Sequence, residues 1–286
     1  MGKYKYNLNY FEKIDSEDKA YWLGFLYADG SINRFYVGNK LKSMTLEVGL
    51  SAKDRSHLEK LKKSLESDIP IFERTVKLKD KEYKSVRIQL NNTKICNDLC
   101  KLGCVPSKTF KIQMPTDDIV PIKYMRDFLR GFFDGDGCIS ISTMAGNPHI
   151  FTNITGISGM LNGISDFLIS NRIIRTKPTL VKDTRRSDVY SMLIYGKDTN
   201  KEFLDYLYYG STLYLDRKYN AYKEFYKDYK KSMKRGVYFS NRTGKYIASI
   251  GYKGKVKNLG SFSNIDDAIK ARKEAEIELL NYKEIN

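Results

Sequence analysis

Two stretches of sequence decide the fold of this chain: Trp22-Leu23-Gly24-Phe25-Leu26-Tyr27-Ala28-Asp29-Gly30 and Leu129-Arg130-Gly131-Phe132-Phe133-Asp134-Gly135-Asp136-Gly137. Each motif has apolar residues around a glycine and ends in Asp-Gly. The flanking sequence repeats at the same offset, because Gly49-Leu50-Ser51 falls on Gly156-Ile157-Ser158. A pattern that recurs together with its flanks indicates an internal duplication, in which both copies fold as the same unit.

Small residues stand at matching places in the two motifs, where they would allow close packing if both motifs are helices. They are Gly24, Ala28, Gly131 and Gly135. Without side-chain bulk two helix backbones can approach each other, which has to offset a helix-propensity cost of about 1 kcal/mol per glycine. The final glycines, Gly30 and Gly137, are expected to take the left-handed conformation that ends a helix.

The aspartates before the final glycines are the candidate metal ligands. Asp29 and Asp136 stand where each helix is expected to end, beside the negative ends of two helix dipoles. Two carboxylates repel each other there unless cations bind. Oxygen ligands with open water positions suit Mg²⁺, or another divalent cation such as Mn²⁺, which activates water and neutralises charge on a phosphodiester. Asp134 is expected to be a polar residue at the helix end.

The charge balance of the chain points to a polyanionic partner. The 286 residues include 50 Lys and Arg against 34 Asp and Glu, with a formal charge of +16, so nucleic acid is the expected partner. No apolar run reaches membrane-spanning length and the N-terminus lacks a secretion signal. We therefore expect an intracellular protein, in the cytoplasm or nucleoid of a bacterium or phage-infected cell, or in an organelle. His57 and His149 are the only histidines, which argues against His-Asn-His and zinc-dependent nucleases.

Three regularly spaced cysteines predict one face of a helix. Cys96, Cys100 and Cys104 would lie on a helix that ends near Gly103. Structural zinc sites use more closely spaced pairs of cysteines, so we expect buried free thiols at these positions.

Alternating sequence after each motif predicts antiparallel sheets. In the first half, residues 45–50, 75–79 and 83–91 alternate in the strand pattern, and Leu58, Leu61 and Leu65 mark a helix. The second half repeats this order, with strands at 139–141, 180–181 and 189–195 and an apolar segment at 167–169. Each half is therefore predicted to be α/β (α+β) with a mainly antiparallel sheet.

One face of each sheet is predicted to contact DNA. Its candidate residues are basic or polar: Lys77, Lys79, Arg87 and Gln89 in the first half, and Lys182, Arg185, Arg186 and Tyr190 in the second. Arg and Gln can pair bidentately with guanine and adenine edges in the major groove, while Lys contacts phosphates. For any one of these residues, the alternative is an ordinary solvated strand face.

The paired motifs resemble the signature of LAGLIDADG homing endonucleases, in the single-chain form with two copies, over about residues 15 to 225. The resemblance implies that each motif is a helix and that the two helices pack side by side at the centre of a pseudo-dimer. It implies that the second Asp of each motif, Asp29 or Asp136, holds a divalent cation. It also implies a monomer that cuts both strands of a long asymmetric DNA site and leaves 3′ overhangs.

Two further segments resemble the part of that family which carries a basic residue toward the scissile phosphate. Gly103-Cys104-Val105-Pro106-Ser107-Lys108-Thr109-Phe110 suggests Lys108 for this role. Leu215-Asp216-Arg217-Lys218-Tyr219 looks like its counterpart in the second half and suggests Lys218, with Arg217 as the alternative. A lysine can orient the nucleophilic water or neutralise the pentacovalent phosphorus.

The C-terminal sequence resembles the Apetala/ethylene-response-factor DNA-binding domain. The resemblance rests on four stretches: Arg235-Gly236-Val237-Tyr238, Lys245-Tyr246-Ile247-Ala248-Ser249-Ile250, Asn258-Leu259-Gly260-Ser261-Phe262 and Asp266-Asp267-Ala268-Ile269-Lys270-Ala271-Arg272. It implies a three-stranded sheet backed by one helix, with the sheet in the major groove. Tyr246 stands where many relatives have Trp. The expected DNA contacts are Arg235, Tyr238, Arg242, Lys245, Tyr252 and Lys253.

These observations predict three domains, at residues 1–118, 119–232 and 233–286, and one function. We expect a site-specific homing endonuclease that makes a staggered double-strand break in DNA and promotes the mobility of its own gene or intron. Two alternatives use the same scaffold: a maturase that binds intron RNA, and a DNA-binding regulator without catalysis. Retention of both Asp29 and Asp136 argues against the regulator.

Overall fold

The computed structural model describes residues 4–78, 81–107, 111–144, 147–186, 188–233, 236–252 and 255–284. The chain divides into two compact units, Met1–Lys223 and Glu224–Asn286. Both motifs belong to the first unit, so the two halves predicted as separate domains share one compact body. The boundary between the units falls inside the helix Asp216–Met233, earlier in the chain than the expected boundary at residue 232.

The first half is built from three helices and one four-stranded sheet. In chain order its elements are α1 (Glu17–Asp29), β1 (Gly30–Val37), β2 (Lys40–Ser51), α2 (Arg55–Ser64), β3 (Phe72–Leu78), β4 (Lys81–Asn91) and α3 (Thr93–Lys101). The strands pair antiparallel in the order β1-β2-β4-β3.

The second half repeats this topology. Its elements are α4 (Met125–Asp136), β5 (Gly137–Met144), β6 (Asn147–Ile157), α5 (Ser158–Ser170), β7 (Thr179–Lys182), β8 (Val189–Ile194) and α6 (Lys197–Tyr208). The antiparallel strand order is β5-β6-β8-β7, which matches that of the first sheet. The predicted duplication and the predicted antiparallel α/β halves are therefore confirmed. Helix α7 (Asp216–Met233) follows α6.

The two motifs form the helices α1 and α4, which pack against each other at the centre of the unit. Helix α1 begins where the Ser16 hydroxyl accepts a hydrogen bond from the Lys19 N–H at 3.3 Å, an N-cap that satisfies one donor of the first turn. Every residue of α1 from Ala20 to Tyr27 is buried. A helix that is apolar on all sides belongs in the interior of a protein, and here the second helix of the pair covers it.

Close packing of α1 and α4 depends on the glycines. A β-carbon on Gly24 would overlap the carbonyl oxygen of Phe128, and one on Gly131 would overlap the carbonyl oxygen of Tyr21. Where backbones approach this closely, a side chain of any size forces the helices apart. The same two positions of the motifs therefore set the separation of the helix pair.

The final glycines of the motifs do not adopt the expected left-handed conformation. Gly30 has φ −75° and Gly137 has φ −85°, both in the extended region that any residue can adopt. Space is the reason for glycine at these positions. A β-carbon on Gly30 would lie 2.7 Å from the carbonyl oxygen of Leu26, and one on Gly137 would overlap the Phe133 ring. The helices end by passing directly into strands β1 and β5.

The strand alternation predicted for the sheets matches the buried faces. Leu46 pairs with Leu90 and Val48 with Ile88 across β2 and β4, and all four side chains are buried. In the second half Ile154 pairs with Met192 across β6 and β8, and both are buried. One face of each sheet thus forms part of the core, and the opposite face carries the polar residues.

The cysteines follow the prediction only in part. Helix α3 ends at Lys101, so Cys104 lies beyond it, and its thiol donates to the Leu26 carbonyl with a separation of 3.6 Å. Cys96 and Cys104 are buried free thiols, whereas Cys100 is partly exposed. Burial raises the pKa of Cys96 to about 12, so this thiol is protonated and unreactive at neutral pH.

The C-terminal unit contains the end of the helix Asp216–Met233 and, as expected, a three-stranded sheet with one helix behind it. Strands β9 (Val237–Ser240), β10 (Lys245–Tyr252) and β11 (Lys255–Phe262) pair antiparallel in the order β11-β10-β9. Helix α8 (Ile265–Glu284) packs on β10 and β11, with Ala248, Ile250 and Ala268 buried between sheet and helix. Within the described part of the whole chain, no helix is long and apolar enough to cross a membrane.

Candidate active site and nucleic-acid interface

The candidate metal ligands are the last residues of the two central helices. Asp29 ends α1 and Asp136 ends α4, and both are partly exposed. The Oδ2 atom of Asp29 lies 3.3 Å from the point that a β-carbon on Gly135 would occupy, so Asp29 lies directly against the end of α4. The packing of the helices therefore brings one carboxylate from each half to the same end of the pair.

This carboxylate pair fits a magnesium site that the substrate completes. Among the described residues, no group of three or more His, Cys, Asp or Glu side chains could hold a metal ion on its own. Mg²⁺ is usually held by one or two carboxylates together with substrate phosphates, and it keeps several waters. Asp29 and Asp136 are the right number and type of ligand for that arrangement.

Lys218 lies beneath the candidate ligands and is almost fully buried, with 3% of its surface exposed. Its Nζ donates hydrogen bonds to the carbonyl oxygens of Phe133 at 2.6 Å, Asp134 at 2.7 Å and Gly135 at 3.3 Å. These are carbonyls of the last turn of α4, where helix carbonyls run out of backbone donors; that of Phe133 also accepts from the Gly137 N–H. The ammonium, which has three donors, thus caps the C-terminus of α4.

The charge on Lys218 also balances the carboxylates around it. Burial lowers the pKa of this lysine to about 8, and the negative charges of Asp134, Asp29 and Asp136 oppose that shift. At neutral pH the ammonium is therefore largely protonated, close to the end where both helix dipoles and both candidate ligands are negative.

Asp134 is fully buried and receives three hydrogen bonds. Its Oδ1 accepts from the Tyr208 hydroxyl at 2.6 Å. Its Oδ2 accepts from the Tyr21 hydroxyl at 2.6 Å and from the backbone N–H of Leu215 at 2.7 Å. Burial raises the pKa of this carboxyl, while Lys218 and the three donors lower it. The residue expected to be a polar helix end is therefore the centre of a buried polar cluster.

His57 extends this cluster. Its Nε2 lies 3.1 Å from the Tyr21 hydroxyl, whose only proton goes to Asp134, so Nε2 carries a proton and donates it to the tyrosine oxygen. Burial lowers the pKa of His57 to about 3, so the ring is neutral. Sequence reasoning did not identify Tyr21, Tyr208 or His57 as parts of the site. The position of Asp134 in the motif was the only signal in the sequence.

The other basic candidates differ in their surroundings. Lys108 lies outside the described residues. Arg217, the alternative to Lys218, is 56% exposed, and its Nε is 3.0 Å from the Asp54 carboxylate. Lys218 and not Arg217 is therefore the residue that reaches the end of α4.

In the first half, the predicted DNA-facing residues Arg87 and Gln89 converge on Glu47. The Gln89 amide donates to the Glu47 carboxylate at 2.6 Å, and Arg87 is 3.7 Å from the other carboxylate oxygen. Glu47 and Gln89 are direct partners across β2 and β4. Lys77 is exposed and pairs with Glu82 at 3.1 Å, and Lys79 lies outside the described residues. Sequence reasoning missed Glu47, although it occupies the outward position between Leu46 and Val48.

In the second half, the predicted residues lie on or next to the edge strand β7, and Tyr190 lies on its inner neighbour β8. Lys182 and Tyr190 are partners across β7 and β8. Arg185 and Arg186 follow β7, and the Arg185 guanidinium binds Asp183 through two hydrogen bonds of 3.1 Å. This ion pair is exposed, so it adds little to stability and leaves the arginine accessible.

In the C-terminal unit, three of the six predicted contact residues have described side chains. Tyr238 is 57% exposed on β9, Lys245 begins β10, and Arg242 lies between these strands. Arg235, Lys253 and the side chain of Tyr252 lie outside what the structure describes. The Phe239 ring packs edge-to-face on Tyr246 with centroids 5.1 Å apart.

Comparison with known proteins bears on the first unit. Residues 123–208 match the LAGLIDADG-like domain. The matched span holds most of the second half, including α4 and Asp136. No curated protein matches the chain.

Two crystal structures share the fold. The LAGLIDADG homing endonuclease I-GzeII in complex with its DNA target is 11% identical, with a TM-score of 0.52 over 78% of this chain and 93% of that one. The meganuclease I-SmaMI bound to uncleavable DNA is 12% identical, with a TM-score of 0.51 over 78% of this chain and 92% of that one. At these identities the likeness concerns the fold.

Proposed function

We propose that this protein is a metal-dependent endonuclease that makes a staggered, site-specific double-strand break in DNA. The observation that carries the proposal is the carboxylate pair, because Asp29 and Asp136 end two packed helices at the same end. The fold supports it, since I-GzeII and I-SmaMI were both crystallised with DNA. Because one chain carries both motifs, it can supply both active sites by itself, so we propose that the enzyme acts as a monomer.

Asp29 and Asp136 would hold Mg²⁺ or Mn²⁺, each carboxylate serving one DNA strand. A bound divalent cation would activate a water molecule and neutralise charge on the scissile phosphodiester. The carboxylates would be the protein's ligands for that ion at the end of the helix pair. Lys218 offsets the negative charge that two carboxylates and two helix C-termini create there. Lys108 is the proposed basic residue of the first half.

The outward faces of the two sheets would contact the DNA. In the first half Arg87 and Gln89 supply the hydrogen-bonding groups that read guanine and adenine edges, and Glu47 holds both. In the second half Lys182, Arg185, Arg186 and Tyr190 fill the same role. A net charge of +16 supplies the phosphate attraction that these base contacts require.

The C-terminal unit would be an additional DNA reader of the Apetala type. Its three-stranded sheet backed by one helix has the expected form, and Tyr238 is exposed on it. Binding by this unit would lengthen the recognised site. An enzyme that promotes the mobility of its own gene or intron needs a long and rare site, because it must not cut the host DNA elsewhere.

The decisive experiment uses the full chain and a duplex that joins the two sequences flanking its own gene or intron. With MgCl₂ we expect two fragments with 3′ overhangs, and with a chelator we expect none. Asp29→Asn and Asp136→Asn should bind the duplex and fail to make the double-strand break. Asp166→Asn is the matched control, because Asp166 is exposed and pairs only at 3.3 Å with Lys177.

Two results would contradict the proposal. One is cleavage by Asp29→Asn or Asp136→Asn at the wild-type rate. The other is binding and splicing of intron RNA without cleavage of the joined duplex, which would make the protein a maturase.

A further inference from the structure

Tyr27 and Asp134 occupy the same place in the two motifs, two residues before Asp29 and Asp136 respectively. The two side chains have different chemistry, a neutral phenol and a carboxylate. Both are buried, and each forms a hydrogen bond with a residue outside α1 and α4: Tyr27 with Leu102, and Asp134 with Leu215.

In the first half, Tyr27 ties α1 to the segment after α3. The Tyr27 hydroxyl donates to the carbonyl of Leu102 at 2.5 Å. The next residue, Gly103, has φ +92°, and a β-carbon there would overlap the Tyr27 hydroxyl. Cys104 adds a second tie to α1 through the Leu26 carbonyl. Lys108 follows this anchored segment in the sequence.

In the second half, Asp134 ties α4 to the segment before α7. The backbone N–H of Leu215 donates to the Asp134 carboxylate at 2.7 Å, three residues before Lys218. Lys218 in turn donates to the backbone carbonyl of Asp134 at 2.7 Å. Hydrogen bonds therefore run in both directions between α4 and the lysine-bearing segment. The Tyr208 hydroxyl of α6 is a further donor to the Asp134 carboxylate.

The packing of α1 against α4 does not need these hydrogen bonds, because the glycines of both helices already bring the backbones together. What the hydrogen bonds add is a link from each motif helix to the segment that leads to the basic residue of the same half. Active-site groups must be held within a fraction of an ångström to act, and rigid supporting contacts provide this precision.

We propose that Tyr27 and Asp134 are positioning residues: Asp134 sets the placement of the segment at residues 215–218, and Tyr27 sets that of the segment at residues 102–104 after α3. The inference rests on the proposed endonuclease function. The Tyr27 bond to Leu102 joins two neutral groups, whereas Asp134 is a carboxylate with three donors, so the two anchors differ in chemistry. Each DNA strand should therefore respond to only one of the two anchors.

The test measures the two strands separately. A duplex with a different fluorophore on each strand is cleaved by the full chain under single-turnover conditions with Mg²⁺. We expect Asp134→Asn to slow one strand about tenfold or more, so that nicked DNA accumulates, since hydrogen bonds to a charged group are the stronger kind. Tyr27→Phe should slow the other strand about threefold to tenfold, on the scale of one neutral hydrogen bond.

Matched controls separate positioning from stability. Asp127→Asn removes another buried carboxylate of α4, which pairs with Arg130 at 2.5 Å. Tyr124→Phe removes another bond from a tyrosine to a carbonyl, at 2.6 Å to Asp15. Both controls should lower the melting temperature without changing the ratio of the two strand rates. If Asp134→Asn does not fold, Tyr208→Phe removes one of its donors and should slow the same strand less severely.

The outcomes are distinct. Equal slowing of both strands by the anchor variants, or a shift of the strand ratio in the controls as large as in the anchor variants, would show that Tyr27 and Asp134 only support the fold and would overturn the inference. A wild-type protein that cuts neither strand would overturn the proposed function, and this inference with it. Wild-type cleavage of both strands together with an unchanged ratio in both anchor variants would overturn the inference alone.

Discussion

Asp29 lies against Gly135: its Oδ2 atom is 3.3 Å from the point that a β-carbon on Gly135 would occupy. The same β-carbon would overlap that of Ala28. The glycine of one motif thus leaves the space in which the carboxylate of the other motif stands. The position of Asp29 therefore depends on the partner helix as well as on its own.

Gly135→Ala should therefore displace Asp29 and reduce cleavage. The added methyl group must push α1 and α4 apart, which we expect to lower the free energy of unfolding by about 1 to 3 kcal/mol, the usual cost of overpacking. Denaturant unfolding and single-turnover cleavage measure the two effects. Gly159→Ala is the control, since a β-carbon there would meet only Gln113 at 3.9 Å, and both properties should stay as in the wild type.

Lys218→Met should slow cleavage by roughly 10- to 1000-fold, the scale of losing one charge-stabilising group. Its loss also removes the cap of α4 and leaves Asp134 buried without its cation, which we expect to cost about 3 kcal/mol or more of stability. Arg217→Met is the matched control for cleavage, because Arg217 is largely exposed and does not cap α4, so the rate should stay nearly unchanged; stability falls to the extent that the buried Asp54 carboxylate loses its ion pair. Cleavage slowed by Arg217→Met as much as by Lys218→Met would assign the basic role to Arg217 instead.

His57 should make the protein less stable as the pH falls. Its pKa is about 3 in the folded chain and 6.5 when unperturbed, so between these values the unfolded state binds a proton that the folded state does not. The free energy of unfolding should then fall by up to about 1.4 kcal/mol per pH unit below pH 6.5 from this group alone. Urea unfolding between pH 6.5 and pH 5 measures the slope, to which Asp134 and Asp127 also contribute because burial raises their pKa, so the difference between wild type and a His57 variant gives the share of His57. His57→Gln should flatten that slope, and an identical slope in the variant would assign it to other groups.

Glu47→Ala should relax the sequence preference of the first half. Without the carboxylate, Arg87 and Gln89 lose the contacts that orient them, and discrimination at the base pairs they meet should fall by about 1 to 3 kcal/mol. Cleavage of duplexes with every single base-pair change maps the effect. Glu82→Ala is the control. It removes an exposed partner of Lys77 at 3.1 Å and should change the cleavage of all duplexes by the same factor. An unchanged preference profile for Glu47→Ala would exclude Glu47 from DNA recognition.

Truncation after Met233 should keep the cleavage position and weaken DNA binding. Both candidate ligands and both lysine candidates precede this residue. Each lost phosphate contact should reduce the slope of log affinity against log salt by about 0.9, and the footprint should shorten on one side only. Tyr238→Ala in the full chain is the companion variant. We expect it to bind DNA more weakly and to leave the length of the footprint unchanged. A truncated protein with the wild-type footprint and salt slope would mean that the tail does not touch this DNA.

Sequence analysis proposed some residues of the candidate site and missed others. The difference lies in the sequence separation between a residue and its contact partners. Asp29 and Asp136 could be found because each belongs to a motif that repeats with its flanks. Lys218 was proposed from the resemblance. Its position at the end of α4 could not be predicted, because the acceptor Phe133 is 85 residues away in the sequence. Sequence analysis assigned no role to Tyr21 or Tyr208. Nothing local to either residue indicates that both hydroxyls meet on Asp134.

The sequence by itself determined the duplication, the antiparallel sheets and the close helix pair, because these follow from periodic patterns and small residues within one short stretch. Only the tertiary structure decided the conformation of Gly30 and Gly137. Their extended φ and their need for space arise from Leu26 and Phe133 packed behind them. Tertiary structure likewise placed Lys218 on the carbonyls of α4, since burial and helix capping depend on which distant segments the fold brings together.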